Sequence, residues 1–393
     1  MKTNIAVFFG CRSVEHEVSI ISAVQAMRSI DRNKYSPVPI YVTKEGEFYT
    51  GDCLFEIEAF RDIPELLKKC RKVFLVREDS KVYLRSLKKR AFAKSDDIII
   101  DLAFPIVHGT NCEDGTIAGY FEFLGLPYIG CNVLSAAVGM DKAVYKDVLK
   151  GAGLPVLDCV KFSARKYSEA KEAVLLGIEK KFDYPVIVKP VNLGSSVGIT
   201  KANDRDSLIE AIDVAVSFAD IVLVEKAITN LREINCSVLG DTDSCEASVC
   251  EEPFMNDEIL SYEDKYTRSG KSKGMASLGR KLPADLSEEK SAEIRELSCR
   301  IFKALGCNGV VRIDYLLDTQ TGKVYANEIN TIPGSLSFYL WEATGLSYTA
   351  LIDRLAALAF RRQRSRENLT FTIPTNILSG VSFGTKGAKG SKL

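Results

Sequence analysis

Short apolar runs alternate with longer stretches whose apolar residues recur every three or four positions, and this predicts strands and helices taken in turn. Residues 5–9 are uninterruptedly apolar and close on Gly10, as a buried strand entering a turn does. In SVEHEVSIISAVQAM, Val14, Val18, Ile21 and Val24 have the spacing of a helix packed on a sheet. YSPVPIYVT and GEFYTG then read as strands, the following stretch through Arg90 as irregular and charged, and DIIIDLAFPIVHG as one strand. A parallel sheet with helical crossovers is the natural packing for such an order.

After Gly115, TIAGYFEFLG predicts a helix, LPYIG a strand, and LSAAVGMDKAVYKDVLKGAG one helix stopped by Gly151 and Gly153. A second α/β unit begins near Cys131. YPVIVKP and VGITKA flank a glycine-rich turn as a hairpin, and DIVLVEKAI is a further buried strand. The last third carries strands at NCSVLG, ASVCEE, GVVRIDYLLD and VYANEIN, a charged loop around EDKYTRSGKSKGMASLG, and a helix over residues 288–305. From about Glu367 the chain turns polar, and GTKGAKGSKL reads as a flexible tail.

Composition narrows the function classes. The 393 residues are 46% hydrophobic and 26% charged, enough to bury a sizeable core in two or three domains of ~100–200 residues each. With 52 basic and 52 acidic residues there is no broad positive field for nucleic acid or an anionic membrane, so any anion must be held by a local site. The 11 cysteines form no CxxC pair and no zinc-spaced array, which reads as reduced thiols in a cytoplasmic protein. The first apolar run is too short for a secretory signal, and no stretch approaches the ~20 apolar residues of a membrane span.

The sharpest local signal is RIDYLLD followed by VYANEIN. Side chains alternate along a strand, so Arg312 and Asp314 share one face, as do Glu328 and Asn330. Two carboxylates and an amide oxygen are hard donors of the kind magnesium takes beside nucleotide phosphates. An arginine among them can hold the oxyanion of a reacting carboxyl or phosphoryl group. The competing reading is a hairpin with a solvated polar face. A second signal is VKPVNLGSSVGI, where Lys189 ends an apolar strand and Gly194, Ser195, Ser196 and Gly198 make a loop. Small residues let backbone N–H groups approach phosphate, although an ordinary glycine-rich hairpin has the same composition. It matches neither the P-loop nor the dinucleotide fingerprint. Lys142 in GMDK is either a second phosphate contact or a solvated helix lysine.

The only two histidines, His16 and His108, each follow a strand, at the sheet end where α/β proteins place ligands. A histidine that merely satisfies a loop hydrogen bond would look the same. Glu15, at the start of a helix, is either a first-turn acid or a group that receives a substrate ammonium.

SVEHEVS, HGxxxEDG, MDK, KPxxxGSSxGI, EDKY, RID and NEINTIPG occur in one order over residues 2–358, and in this the chain resembles the D-alanyl-D-alanine ligase family of the ATP-grasp superfamily. The resemblance implies an α/β, three-domain ATP-grasp ligase, with a parallel-sheet N-terminal domain and two α+β domains enclosing ATP. The corresponding division is 1–130, 131–228 and 229–366, with a tail over 367–393. It further implies ATP and Mg2+, with Mn2+ as a substitute, and two D-alanines joined through a D-alanyl phosphate for peptidoglycan precursor synthesis. Lys142, Lys189 and Ser196 resemble the phosphate contacts, Glu225, Lys226 and Ile228 the adenine segment, and Glu233 the ribose acid. Asp314, Glu328 and Asn330 resemble the metal ligands, with Arg312 facing the transferred phosphoryl. Glu15 resembles the acceptor of the first ammonium, linked through Ser195 to Tyr266 on a loop over residues 261–278 that closes over the site. His108 and Glu113 would line that first pocket. Lys265, Gly334, Ser337 and Tyr339 would line the second. Relatives of this kind are often homodimers.

Three positions depart from the family pattern. Cys112 stands where glycine precedes the EDG acid, and Ala118 where glutamine is common. SLSFYLWE places Tyr339 where a serine usually holds the second substrate's carboxylate, so either Ser335 or Ser337 substitutes from a rearranged loop or Tyr339 uses its own hydroxyl. The resemblance also disfavours D-lactate as acceptor, because relatives that use it carry a histidine-containing loop in place of the EDKY region, and no histidine lies beyond position 108 here. A D-alanyl-D-serine ligase and a catalytically silent nucleotide-binding regulator remain the alternatives.

Overall fold

The computed structural model describes residues 2–87, 97–194, 198–253 and 279–376, arranged around three sheets. In the first, β1 (Thr3–Gly10) lies parallel to β2 (Tyr35–Val42), and α1 (His16–Ser29) is the crossover between them. Six consecutive residues of β1 are buried because both of its faces are covered, which is why its sequence shows no alternation. Gly10 ends the strand at φ +93°, and a Cβ there would lie 2.4 Å from the Val42 carbonyl, so only glycine fits. Ser19 of α1 accepts from the Gly10 N–H at 2.8 Å and donates to the Ile106 carbonyl at 2.6 Å, fixing helix to sheet.

The rest of this sheet differs from the sequence expectation. After β3 (Phe48–Thr50) and α2 (Ile63–Lys69), the charged stretch forms a hairpin, β4 (Arg71–Glu78) and β5 (Lys81–Ser86). Val73, Leu75, Val82 and Leu84 are buried at alternate positions, a period-two signal masked by the charges between them. DIIIDLAFP is two strands. β6 (Ile98–Ile100) pairs with β5, whereas β7 (Leu102–Pro105) runs parallel to β1, at the other end of the strand order. Asp101 makes the switch by accepting from the Asn4 N–H at 2.8 Å, so the sheet curls back on itself. LPYIG makes only an isolated bridge, Tyr128 to Ala103.

The long helix expected over residues 134–153 is broken at Asp141. Following α3 (Thr116–Leu124), the chain forms α4 (Val133–Met140) and α5 (Lys142–Gly151). Asp141 is extended at ψ 102° and caps α5 by accepting from the Ala143 and Val144 N–H groups. The second sheet is antiparallel, ordered β10 (Thr200–Ala202), β9 (Val186–Pro190), β11 (Ile221–Lys226) and β8 (Cys159–Ser163). Its core is closed by α6 (Ala164–Glu169), α7 (Lys171–Lys181) and α8 (Arg205–Val216).

The third sheet is also antiparallel, ordered β14 (Arg280–Lys281), β13 (Cys245–Pro253), β12 (Leu231–Gly240), β15 (Gly309–Asp318) and β16 (Val324–Asn330). Val311, Ile313, Tyr315 and Leu317 of β15 point into a core shared with α5 and with α9 (Glu288–Ala304), which leaves Arg312 and Asp314 on the opposite face. Pairing passes from Asp314↔Glu328 to Tyr315↔Ala326, so Asn327 is the extra residue of a bulge. Helices α10 (Phe338–Ala343) and α11 (Tyr348–Glu367) complete the described chain, and Trp341, Leu351, Ile352 and Leu355 join the core of the first sheet and α1. No helix among the described residues is long and apolar enough to cross a membrane.

Candidate active site

The second and third sheets face each other across a cluster of buried charges. Lys189 at the end of β9 and Lys146 on α5 both pair with Glu225 of β11, the second contact at 2.9 Å. All three side chains are at least 96% buried. Burial opposes ionisation of Glu225, but the two ammonium groups outweigh it and hold its carboxyl below the usual range. Burial also pushes Lys189 down, with Glu225 acting against that shift. Two lysines on one carboxylate leave a net positive group. Lys189 also donates to the Asn327 Oδ1 at 3.1 Å, and Lys142 Nζ lies 3.0 Å from Glu328 Oε2 and donates to the Leu193 carbonyl at 2.8 Å. The Asp141 break starts α5 at Lys142, and the bulge turns Asn327 toward the same cleft.

On β15 and β16 the expected polar convergence is present. Arg312 grips Asp314 with two bonds of 2.6 and 2.7 Å, and Asn330 Nδ2 donates to the same carboxylate at 3.1 Å. Burial disfavours the guanidinium, yet Asp314 more than offsets it and raises the Arg312 pKa well above its ordinary value. Asp314 and Glu328 are register partners across the two strands. Their oxygens and the Asn330 amide are a donor set that fits a hard divalent cation.

At the end of the first sheet, Glu15, His108 and Glu113 come together. A Cβ on Gly109 or on Gly194 would sit 3.0 or 3.1 Å from Glu15 Oε2, so two loops close onto that carboxylate. Glu113 accepts from the Gly109 N–H at 2.7 Å and the Ile332 N–H at 3.1 Å. Burial, reinforced by Glu15, pushes the Glu113 carboxyl up to about 8. His108 Nδ1 donates to the Ile332 carbonyl at 2.8 Å, which leaves Nε2 to accept from Ser22 at 3.0 Å. The Ser22 oxygen in turn accepts from the Ser335 N–H at 3.1 Å. Burial lowers the His108 pKa, so this ring is a neutral latch joining α1, the 108–115 loop and the 331–337 loop. His16 is similarly engaged, with the Cys11 carbonyl and the Tyr41 hydroxyl.

The segment after Gly334 is unusual. Ser335, Leu336 and Ser337 have φ of 49°, 54° and 51°, a full left-handed turn of L-residues. Each costs roughly 1–2 kcal/mol, so surrounding contacts must over-determine it. Beyond the turn, the Tyr339 hydroxyl donates to Glu251 Oε1 at 2.7 Å, and Arg280 lies 4.0 Å over the Tyr339 ring and 3.0 Å from Glu251 Oε2. Burial raises the Tyr339 phenol far enough that it stays a donor.

The Lys226 side chain turns away from Glu225 to the Asp183 carbonyl at 2.6 Å. Ile228 is half-buried just past β11, and Glu233 is half-buried on β12. Ser195, Ser196, Lys265 and Tyr266, together with the tail beyond residue 376, fall outside the described residues. Cys112 and Ala118 are both buried in the core under α3. Lys146, Asn327, Glu251, Arg280 and Ser22 were not anticipated; only Lys146, four residues after Lys142 on the same helix face, carried a readable signal.

Two antiparallel sheets closing on paired lysines, with a carboxylate, amide and arginine set between them, define an ATP-dependent ligase of ATP-grasp architecture. Residues 4–131 match the family model described as D-ala D-ala ligase N-terminus, and residues 148–357 the one described as D-ala D-ala ligase C-terminus. A D-alanine–D-alanine ligase of Thermosipho melanesiensis is 41% identical over 95% of this chain and 98% of its own length. That of Caldicellulosiruptor bescii is 40% identical over 94% and 99%. Among solved structures, the D-alanine–D-alanine ligase of Coxiella burnetii has a TM-score of 0.78 at 32% identity, covering 93% of this chain and 96% of that one. The VanG D-Ala:D-Ser ligase of Enterococcus faecalis has a TM-score of 0.76 at 33% identity, covering 91% and 100%. The chain belongs to the D-alanine–D-alanine ligase family.

Glu113 yields a test that needs no substrate. The unfolded chain loses this proton near 4.5, whereas the folded chain keeps it to about 8. Ionisation in that window favours the unfolded state. Stability of the wild type relative to Glu113→Gln should therefore fall as pH rises from about 4.5 to about 8 and level off above. Urea midpoints of the two proteins across pH provide the measurement, and parallel profiles would refute the assignment.

Proposed function

We propose that the residues around Glu15 hold the first D-alanine, that the Lys142, Lys146 and Lys189 cluster takes the phosphates of ATP, and that Arg312 stabilises the reacting centre. The observation that carries this reading is the bidentate Arg312–Asp314 pair beside Glu328, one strand away from the buried lysines. Glu15 would receive the ammonium of the first amino acid, and the neutral His108 latch would keep the pocket walls together.

A carboxylate is a poor electrophile, so transfer of the γ-phosphoryl of ATP first makes an acyl phosphate. The amine of a second amino acid then attacks the acyl carbon, and phosphate leaves. Arg312 would face the oxyanion in both steps. Asp314, Glu328 and Asn330 would hold Mg2+, which neutralises phosphate charge when bound. Glu225 already spends its side chain on two lysines, so adenine would be met by the backbone of residues 225–228, with Glu233 at the ribose. Water must be excluded, the role implied for residues 261–278. Domain boundaries at 130, 228 and 366, a cytoplasmic location and a homodimer belong to the same proposal and rest on the family resemblance.

D-alanine is the acceptor we propose first. The left-handed turn at Ser335–Ser337 and the Tyr339–Glu251–Arg280 group lie in and beside the segment that the resemblance assigns to the second pocket, and this favours testing D-serine beside it. A pocket tells these two apart by only about 100-fold when the difference is one added hydroxyl. Incubation of the enzyme with ATP, magnesium, D-alanine and a panel of second amino acids should give D-alanyl-D-alanine as the main product by mass spectrometry. Phosphate release should require D-alanine and stop on chelation of the metal. ATP binding without D-alanine-dependent phosphate release would instead mark a silent nucleotide-binding protein.

A further inference from the structure

Cysteines occur as neighbours at several places in the fold, and one such pair adjoins the first pocket. Cys11 follows Gly10 in the β1–α1 loop, and Cys112 precedes Glu113 in the 108–115 loop. Cys112 is buried in the core under α3, and Cys11 packs against that same core. On either side of them the loops are already bonded to each other: Asn111 Nδ2 donates to the Arg12 carbonyl at 2.9 Å, and Ser13 Oγ donates to the His108 carbonyl at 2.7 Å. Closing this pair therefore needs no new loop encounter.

The two thiols differ in access. Cys112 is buried, whereas Cys11 is half-exposed and lines a cavity of about 270 Å3 with Arg12, Asn111, Phe48 and Tyr120. The Cys112 thiol lowers the Cys11 pKa to about 7, against burial. An accessible, thiolate-prone cysteine beside a shielded partner is the arrangement of an attacking and a resolving thiol. Other neighbours lack this combination. Cys53 and Cys70, 3.4 Å apart, lie on the 51–70 segment outside the candidate site, and burial pushes Cys70 up to about 12. Cys236 and Cys250 are both buried.

We propose that Cys11 and Cys112 are a redox modification site, oxidised by low-molecular-weight disulfides to a cross-link that slows ligation. The Cys11 thiolate attacks one sulfur of the small disulfide, expelling one small thiolate and leaving a mixed disulfide. Cys112 then attacks Cys11 Sγ and expels the second small thiolate. The protein pair loses two electrons and two protons, and the small disulfide is reduced to two thiols. An S–S bond is ~2.05 Å, well inside thiol contact, so the 11–15 and 109–113 loops are drawn together. Glu15 and Glu113 ride on those loops. A displacement of about 1 Å at a reacting site can cost about 100-fold in rate, so at least a tenfold loss is expected.

The size of the activity effect rests on the pocket assigned above, but the cross-link does not. Reduced full-length enzyme is treated with oxidised glutathione, mapped by peptide mass spectrometry, and assayed for D-alanine-dependent phosphate release. The expected product is a peptide pair joined through Cys11 and Cys112, with turnover at least tenfold lower and restored by dithiothreitol. In Cys112→Ser the glutathione adduct should persist on Cys11 with no cross-link, and the wild-type map stands alone should that variant fail to fold. Absence of the Cys11–Cys112 peptide overturns the site. A fully cross-linked enzyme with unchanged turnover overturns the regulation. Reduced enzyme that lacks D-alanine-dependent turnover would count against the ligase reading, while the peptide map still judges the thiol pair.

Discussion

Replacing Arg312 by alanine is expected to lower kcat about 10²- to 10³-fold, equivalent to ~3–4 kcal/mol of transition-state stabilisation, while sparing ATP binding. Arg312 is the one guanidinium on β15 held by two bonds to a neighbouring carboxylate, so its position is fixed before substrate arrives. Such preorganisation is what makes an electrostatic contact catalytic. Lysine restores the charge but not the fork, so Arg312→Lys should recover little. Steady-state kinetics beside calorimetric ATP titration separates the two effects. Near-normal turnover in the alanine variant would remove Arg312 from the mechanism.

Replacing Glu225 by alanine is expected to destabilise the fold by about 3–5 kcal/mol, because it strands two buried lysines without a counter-charge. The Lys146–Glu225–Lys189 cluster ties α5, β9 and β11 together, so the damage should appear in folding. ATP phosphates would supply part of the missing negative charge. Saturating ATP should accordingly protect the variant more than the wild type in urea unfolding. Equal protection of both proteins would place the phosphates elsewhere.

Arg312, Asp314, Glu328 and Asn330 were legible in sequence because a strand repeats every two residues and the four polar positions keep that period. His108 was legible as a loop residue that follows a strand, Glu15 as an acid at the start of a helix, and Glu113 only through the family resemblance; their meeting depends on β1 and β7 being parallel neighbours. Asn327 was out of reach, since a bulge changes the face of one residue without altering composition. The Tyr339–Glu251 bond spans 88 positions, and no local pattern encodes it. The break at Asp141 was missed for another reason: helical periodicity runs on both sides of it, and one capping aspartate outweighed the pattern. The β4–β5 hairpin was hidden by its charges, although its buried positions alternate.

The core of the first sheet contains Ile5, Val7 and Phe9 from the start of the chain and Leu351, Ile352, Leu355 and Ala359 from its last described helix. During synthesis the earliest strand must therefore wait for residues made some 340 positions later before that core is complete. At ~5–20 residues per second the delay is roughly 20–70 s. Throughout that interval an apolar face of β1 is open to other nascent chains, so the order of translation seals this core after the two sheets encoded in between.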